Sequence, residues 1–111
     1  MTYLIDAILE IAKQNPKGFT VEVPSLETVT SGFTSACEET QNSFGRFGLQ
    51  RVVSHALEHG KVVGGWRNSD NRKYYFDSIM VFENRDDAVR FGKENHQIAI
   101  FDLNSLTEIR L

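Results

Sequence analysis

The sequence predicts an α+β domain with a largely antiparallel sheet of about five or six strands and three helices. Two β-rich runs, residues 61–68 and 73–82, flank the polar tetrapeptide Ser69-Asp70-Asn71-Arg72, which is the pattern of an antiparallel hairpin. A short helical pattern and a second apolar run at 98–103 follow. Strands joined mostly by turns, with helices inserted between them, are typical of the α+β class.

The elements before the hairpin follow from local patterns. Residues 3–14 carry apolar side chains at helical spacing and Asn15-Pro16 ends the helix, so we expect residues 1–15 to form a peripheral helix. Residues 19–23 alternate as in a strand, and residues 32–39 form a second strand. After a polar loop at 40–45, a helix is predicted from Arg46 to His59, with Gly60 as its stop.

The elements after the hairpin also have clear signals. Asn84 is the expected N-cap of a helix that runs to Glu94, because Asp86 and Asp87 suit the positive end of a helix dipole. Residues 98–103 and 107–111 are the predicted last strands, and an unpaired C-terminal strand could join two copies of the chain in a homodimer.

Residues of the second hairpin strand alternate between two faces of the sheet. We expect the bulkier set to be buried, which consists of Tyr74, Phe76, Met80 and Phe82. The other set would face a helix or solvent, and it consists of Tyr75, Asp77 and Ile79.

Length and composition limit the function classes. The chain has 111 residues, the size of one domain, and its 15 acidic and 12 basic residues give a net charge of −3. A generic nucleic-acid binder would carry a basic excess, and a DNA mimic would carry dense carboxylate runs. Neither pattern is present, although a local basic patch stays compatible with the sequence.

Cys37 is the single cysteine, so the sequence predicts no intramolecular disulfide and no cysteine-based zinc site. A small buried thiol in a reducing compartment is the expected state. No apolar run approaches the roughly 20 residues that span a bilayer, and the first residues lack the features of a signal peptide. We therefore expect a cytoplasmic protein without a membrane partner.

The segment His55-Ala56-Leu57-Glu58-His59 matches the inverted zinc motif H-x-x-E-H. Two imidazoles four residues apart on a helix project side by side, and Glu58 could act as a base on metal-bound water. Both histidines fall beside the apolar stripe, however, and the sequence places no third ligand near them. Solvent exposure is the favoured interpretation, and we predict neither a metal nor a cofactor.

Aromatic and cationic residues are interleaved on the hairpin. Three aromatic residues, Trp66, Tyr74 and Tyr75, lie on the paired strands near the cations Arg67, Arg72 and Lys73. Such a set could stack bases and hold phosphates, or its rings could simply form the core. We interpret Gly64-Gly65 as packing residues within a strand rather than as a phosphate loop, because no helix follows them.

The polar loop before the second helix is the other candidate site. Thr40, Gln41, Asn42 and Ser43 join a strand to a helix, where a rigid scaffold would present them to a ligand. The alternative is structural, since Asn42 or Ser43 could cap the helix. The predicted binding residues of the whole chain are Thr40, Gln41, Asn42, Ser43, Trp66, Arg67, Tyr74, Tyr75 and Asp77.

Four segments together carry a resemblance that covers residues 18–111. They are Glu39-Thr40-Gln41-Asn42-Ser43-Phe44-Gly45, Val63-Gly64-Gly65-Trp66, Tyr74-Tyr75-Phe76-Asp77 and Asn95-His96-Gln97-Ile98-Ala99-Ile100-Phe101-Asp102-Leu103. The chain resembles a family of small proteins and domains from gut bacteria, phages and other mobile elements. That resemblance implies a role in conflict between host and element, as an inhibitor, a toxin or an accessory factor, and it transfers no catalytic residue.

Two hypotheses follow. The preferred one is a non-enzymatic module that binds a macromolecule, with a protein partner favoured over nucleic acid. The alternative is a metal-independent ribonuclease or nucleotide-directed enzyme in which His55 or His59 and Tyr74 work near an arginine.

Overall fold

A computed structural model describes all residues from Met1 to Leu111 and confirms the α+β class. The helices are α1 (Thr2–Gln14), α2 (Gly45–Glu58) and α3 (Arg85–Glu94), with a short 3₁₀ turn at Glu38–Thr40. The strands are β1 (Phe19–Glu22), β2 (Phe33–Ala36), β3 (Ser43–Phe44), β4 (Val62–Arg67), β5 (Tyr74–Phe82), β6 (Ala99–Asp102) and β7 (Thr107–Arg110). None of the helices combines the length and apolar character that crossing a bilayer requires.

The strands form a single seven-stranded sheet in the order β1-β4-β5-β2-β6-β7, with β3 pairing to β5. Every pairing is antiparallel. The predicted hairpin is confirmed as β4 and β5, with Gly65 opposite Phe76 and Arg67 opposite Tyr74. β5 pairs with β4, β2 and β3, so it is the centre of the sheet.

All three helices pack on the same face of the sheet. Phe76, only 1% exposed, joins residues of α1 and α2 in the core, and the Phe82 ring lies 5.4 Å from the ring of Phe91 in α3. Because Phe76 and Phe82 are an even number of residues apart, they point to the same side. The expectation that the Phe76 set faces the core is therefore confirmed, and Tyr75, Asp77 and Ile79 are half-buried on the opposite face.

α1 is peripheral, as expected, because it packs on α2 at one side of the fold. It is nevertheless part of the core, since Leu4, Ile5 and Ile8 are buried among residues of α2. An ion pair between Asp6 and Arg46, at 2.7 Å, also joins the two helices.

The packing role predicted for the paired glycines is confirmed at Gly65. A Cβ atom at this position would collide with the rings of Phe19 and Tyr74. The absence of a side chain therefore lets aromatic rings from β1 and β5 close over β4.

Candidate functional site

The end of the hairpin places several cations together. The β4–β5 connection is closed by two backbone hydrogen bonds, from Asn68 N–H to the Lys73 carbonyl (2.9 Å) and from Arg72 N–H to the Asn68 carbonyl (2.8 Å). This closed connection fixes Arg72 and Lys73 beside Arg67, the last residue of β4. The C-terminal part of α1 approaches the same end of the sheet.

A cleft of about 450 Å³ lies between these segments, and we call it the basic cleft. Its volume falls within the range of roughly 300–1,000 Å³ typical of ligand sites. Four cationic side chains line it and no acidic one does. The lining consists of Leu9, Ala12, Lys13, Pro16, Phe44, Gly45, Arg67, Arg72, Lys73, Tyr74 and Phe76.

The cations of the basic cleft are almost free of ion pairs. Arg67, Arg72 and Lys73 contact no carboxylate within salt-bridge distance, and Lys13 lies 4.0 Å from Glu10. α2 also begins at the cleft, and its N-cap Phe44 offers no side-chain acceptor to the free N–H groups of the first turn. The helix dipole therefore adds to the positive potential of the side chains.

Tyr74 is a structural residue at the wall of this cleft. Its hydroxyl donates a 2.7 Å hydrogen bond to the Asn15 carbonyl at the end of α1, and its ring stacks on Phe19 with centroids 6.1 Å apart. Burial raises the pKa of Tyr74 to about 12, so the phenol is neutral at physiological pH. These contacts tie the hairpin to α1.

Three aromatic rings meet at the rim of the basic cleft, on the sheet face opposite the helices, and we call them the aromatic cluster. The Tyr75 ring lies 5.2 Å from Trp66 and 5.7 Å from Phe44, both in edge-to-face geometry. Trp66 and Phe44 are each 44% exposed. Phe44 belongs to both regions, and the Lys73 ammonium lies 4.1 Å from its ring centroid. The cluster therefore extends the cleft with an accessible apolar surface.

Asp77 lies on the same sheet face as the aromatic cluster. Burial raises the pKa of Asp77 to about 6, and the indole N–H of the neighbouring Trp66 opposes that rise. The folded protein therefore favours the protonated carboxyl of Asp77 more than the unfolded chain does.

Two residues of the polar loop, Thr40 and Ser43, are buried, and their contacts are with the protein interior. Thr40 is fully buried and accepts a 3.1 Å hydrogen bond from the Ser78 N–H, while Ser43 donates a 2.6 Å bond to the Thr40 carbonyl. Arg51 donates to the Glu39 and Gln41 carbonyls at 3.0 and 3.1 Å and also bonds the Ser43 hydroxyl. These hydrogen bonds fix the conformation of the loop.

The proposed helix cap was wrong. Ser43 and Phe44 pair with β5 as the short strand β3, so Phe44 takes the N-cap position of a helix that begins at Gly45, one residue before the predicted start. Gln41 and Asn42 remain exposed, and a binding role for them stays a prediction.

The histidines lie apart from Tyr74 and Arg67, so the side chains that the enzyme hypothesis required are not brought together. His55 and His59 line a second depression, which shares no residue with the basic cleft. Their rings stack in parallel, with centroids 3.8 Å apart. His96 is on the surface, 2.6 Å from the Glu38 carboxylate.

The second depression contains a group that the sequence did not indicate. Potential ligand atoms of Cys37, Glu39 and His55 all lie within 4.8 Å of one another. Burial raises the pKa of the Cys37 thiol, and burial together with His59 lowers the pKa of His55. No local motif links these residues, because β2, the 3₁₀ turn and α2 meet there only through tertiary packing.

No protein-family model, curated protein or solved structure matches this chain. The resemblance to proteins of mobile elements, and the expected cytoplasmic location, stay predictions.

Proposed function

We propose that this protein is a non-enzymatic binding module that holds an acidic segment of a partner protein in the basic cleft and against the aromatic cluster. The observation that supports this proposal is the composition of the cleft, in which four cations and no carboxylate surround an apolar floor. An acidic segment would supply the missing negative charge.

The chemistry of the lining suggests which groups such a segment would carry. Arg67 and Arg72 have planar guanidinium groups that suit a carboxylate in two-point hydrogen bonding. Leu9, Ala12 and Pro16 offer a surface for an aliphatic or aromatic side chain beside that carboxylate. We therefore expect a partner sequence in which Asp or Glu alternates with large apolar residues.

The aromatic cluster would provide the anchor. Partly exposed Trp and Tyr side chains often contribute most of the free energy of an interface, because they bury a large area at a small cost in conformational entropy. The Trp66 ring already packs edge-to-face on Tyr75, and the Lys73 ammonium already lies over the Phe44 ring. These rings would therefore need little rearrangement when a partner binds.

A protein segment is favoured over a nucleic acid by the distribution of charge. The chain as a whole carries a charge of −3, and three unpaired cations, Arg67, Arg72 and Lys73, converge on one concave cleft rather than along a groove that follows a phosphate backbone. The resemblance to proteins of mobile elements makes a host protein the expected source of the partner.

The test is a fluorescence-anisotropy titration with three labelled probes of equal length. One is a peptide that alternates Glu with Leu and Phe, the second replaces Glu by Lys, and the third is a single-stranded oligonucleotide. We expect the acidic peptide to bind, and the double charge reversal R67E/R72E to weaken it by about tenfold or more, equivalent to about 1.4 kcal/mol.

The matched control is R85E/K93E, which makes the same change of charge on α3, away from the cleft. It should alter affinity by less than about threefold, since only general electrostatic attraction changes. Tighter binding of the oligonucleotide than of the acidic peptide would favour base stacking on the aromatic cluster instead. Equal losses for the two double variants would contradict a specific role for the cleft.

A further inference from the structure

Three side chains with different metal-ligand chemistry meet in the second depression. Cys37 follows β2, Glu39 belongs to the 3₁₀ turn, and His55 lies in α2. One ligand atom from each, a sulfur, a carboxylate oxygen and an imidazole nitrogen, lies within 4.8 Å of the others. The residues that line the basic cleft take no part in this group.

The buried Ser78 side chain orients the imidazole of His55 within this group. Its hydroxyl lies 2.7 Å from Nδ1 of His55, so the other ring nitrogen, Nε2, faces Glu39 at 3.6 Å. The Cys37 backbone N–H also donates a 2.9 Å hydrogen bond to the Ser78 carbonyl, which holds Cys37 beside the same residue. Histidines that bind metals almost always donate their second ring N–H to an oxygen, which fixes the tautomer and directs the lone pair at the ion. Ser78 occupies that position and is fully buried.

The group is also accessible. The depression has a volume of about 260 Å³, and it is lined by Cys37, Glu39, His55, His59, Met80, Phe91 and Asn95. Glu39 is exposed, His55 is half-buried, and no lysine or arginine lines the depression to repel a cation. An ion could therefore reach the Cys37 sulfur from solvent although Cys37 itself is only 3% exposed.

We propose that Cys37, Glu39 and His55 bind a divalent ion of the zinc class, with Ser78 as the positioning residue. A sulfur, a nitrogen and an oxygen ligand together suit Zn²⁺ or Co²⁺, whereas Mg²⁺ and Ca²⁺ prefer oxygen alone. The thiol proton passes to solvent as the sulfur coordinates, and no oxidation or reduction is involved. The fourth position of a tetrahedral site stays open to water or to His59.

The geometry needs only a small adjustment. Bonds of about 2.0–2.3 Å place the ligand atoms of a tetrahedral zinc site roughly 3.5 Å apart, about 1 Å closer than the widest separation here. The exposed side chain of Glu39 can supply most of that movement, because it has rotamer freedom that the buried Cys37 lacks. The proposal needs only one cysteine, because Glu39 and His55 complete the ligand set.

The experiment is a Co²⁺ titration of the metal-free full-length chain, followed by optical absorption. We expect one equivalent to bind, with a sulfur-to-cobalt charge-transfer band in the near ultraviolet, and Zn²⁺ to displace it. Cys37→Ser should abolish that band. Glu39→Gln, an exposed change that leaves the core intact, should weaken affinity by about tenfold or more. His96→Gln, which removes a histidine outside the group, should change nothing.

Each contrary result would overturn the proposal. Absence of binding, or binding without the charge-transfer band, would show that the sulfur is not a ligand. Loss of binding in His59→Gln together with full binding in Cys37→Ser would instead indicate adventitious capture by two histidines one turn apart on α2. Circular dichroism of each variant identifies misfolding. If Cys37→Ser does not fold, the Co²⁺ affinity of the exposed variant Glu39→Gln tests the proposal instead. The R67E/R72E variant should keep its Co²⁺ spectrum, which separates this test from that of the acidic-segment proposal.

Discussion

The basic cleft and the second depression lie in the same domain but are built in opposite ways. The basic cleft presents long, exposed and unpaired cations, while the depression presents short polar groups that are hydrogen-bonded through a buried serine. Changes of charge in the first region should therefore alter binding more than folding. Changes in the second region should alter folding and binding together.

The largest expected effect on stability is at Phe76, which forms the floor of the basic cleft and is 1% exposed. Phe76→Ala should lower the free energy of unfolding by about 3–5 kcal/mol, because it removes a buried ring and leaves a cavity. Urea denaturation measures this loss. Phe44→Ala, at the rim of the same cleft, should cost under about 1.5 kcal/mol, since that ring is 44% exposed. Similar losses for the two variants would show that the cleft has no rigid floor.

The sequence predicted the parts of the fold that local patterns determine. Three predictions were correct: the hairpin, the buried face of β5 and the Asn84 cap of α3. They were correct because alternation, turn residues and capping act over a few residues. The cap of α2 was wrong because residues 43–44 pair with β5, a long-range contact that takes precedence over local capping.

The same distinction applies to the two sites. Arg67 and Tyr74 were named as binding residues, and they do line one cleft, since they face each other across the predicted hairpin. The contribution of Lys13 could not be predicted, because it depends on how α1 packs. The Cys37 group could not be predicted either, since its three residues come from elements that meet only through the order of the strands.

The next largest effect is expected at Asp77, where the folded state favours the protonated carboxyl. The pKa of Asp77 is raised from 3.8 to about 6, so the folded chain binds more protons than the unfolded chain between these values. The free energy of unfolding should therefore decrease as pH rises from about 4 to about 6. Above about pH 6, the loss of stability caused by the ionised Asp77 carboxylate stays constant. Asp77→Asn should remove a penalty of about 3 kcal/mol at pH 7.

Thermal unfolding from about pH 4 to about pH 8 measures this effect. Asparagine has nearly the size and shape of aspartate, so the variant isolates the charge. Asp70→Asn, on the exposed hairpin connection, is the control and should keep the wild-type profile. A profile of Asp77→Asn that follows wild type across this range would show that Asp77 is ionised at little cost in the folded protein.

Arg51 should have a smaller effect, but one that connects the two regions. Its guanidinium bonds three groups of the loop that runs from Glu39, in the depression, to Phe44, in the basic cleft. Arg51→Ala should lower the free energy of unfolding by about 1–2 kcal/mol, because two backbone carbonyls and the buried Ser43 hydroxyl lose their donor. It should also weaken Co²⁺ binding, since Glu39 is no longer held near His55.

Arg46→Ala on the same helix is the matched control for Arg51. It removes an ion pair with Asp6 between half-exposed side chains, and such pairs contribute about 0–1 kcal/mol. Its Co²⁺ affinity should equal that of wild type. If Arg51→Ala leaves Co²⁺ affinity unchanged while lowering stability, the loop supports the fold without positioning Glu39.

The smallest expected effect on stability is at Lys73, and it tests the contrast between the two regions most directly. The ammonium lies 4.1 Å from the centroid of the Phe44 ring, an exposed cation–π contact that is typically worth about 0.5–1 kcal/mol. Lys73→Met keeps an apolar stem over the ring and removes the charge, so the free energy of unfolding should change by under about 1 kcal/mol.

Affinity of the Lys73→Met variant for the acidic peptide should nevertheless fall by about threefold or more, because one of the cleft's four cations is lost. Raising the salt concentration should narrow the difference between variant and wild type, since partly exposed charges are screened. A variant that loses stability but keeps its affinity for the peptide would mean that Lys73 supports the fold, and that the cationic wall of the cleft begins at Arg67 and Arg72.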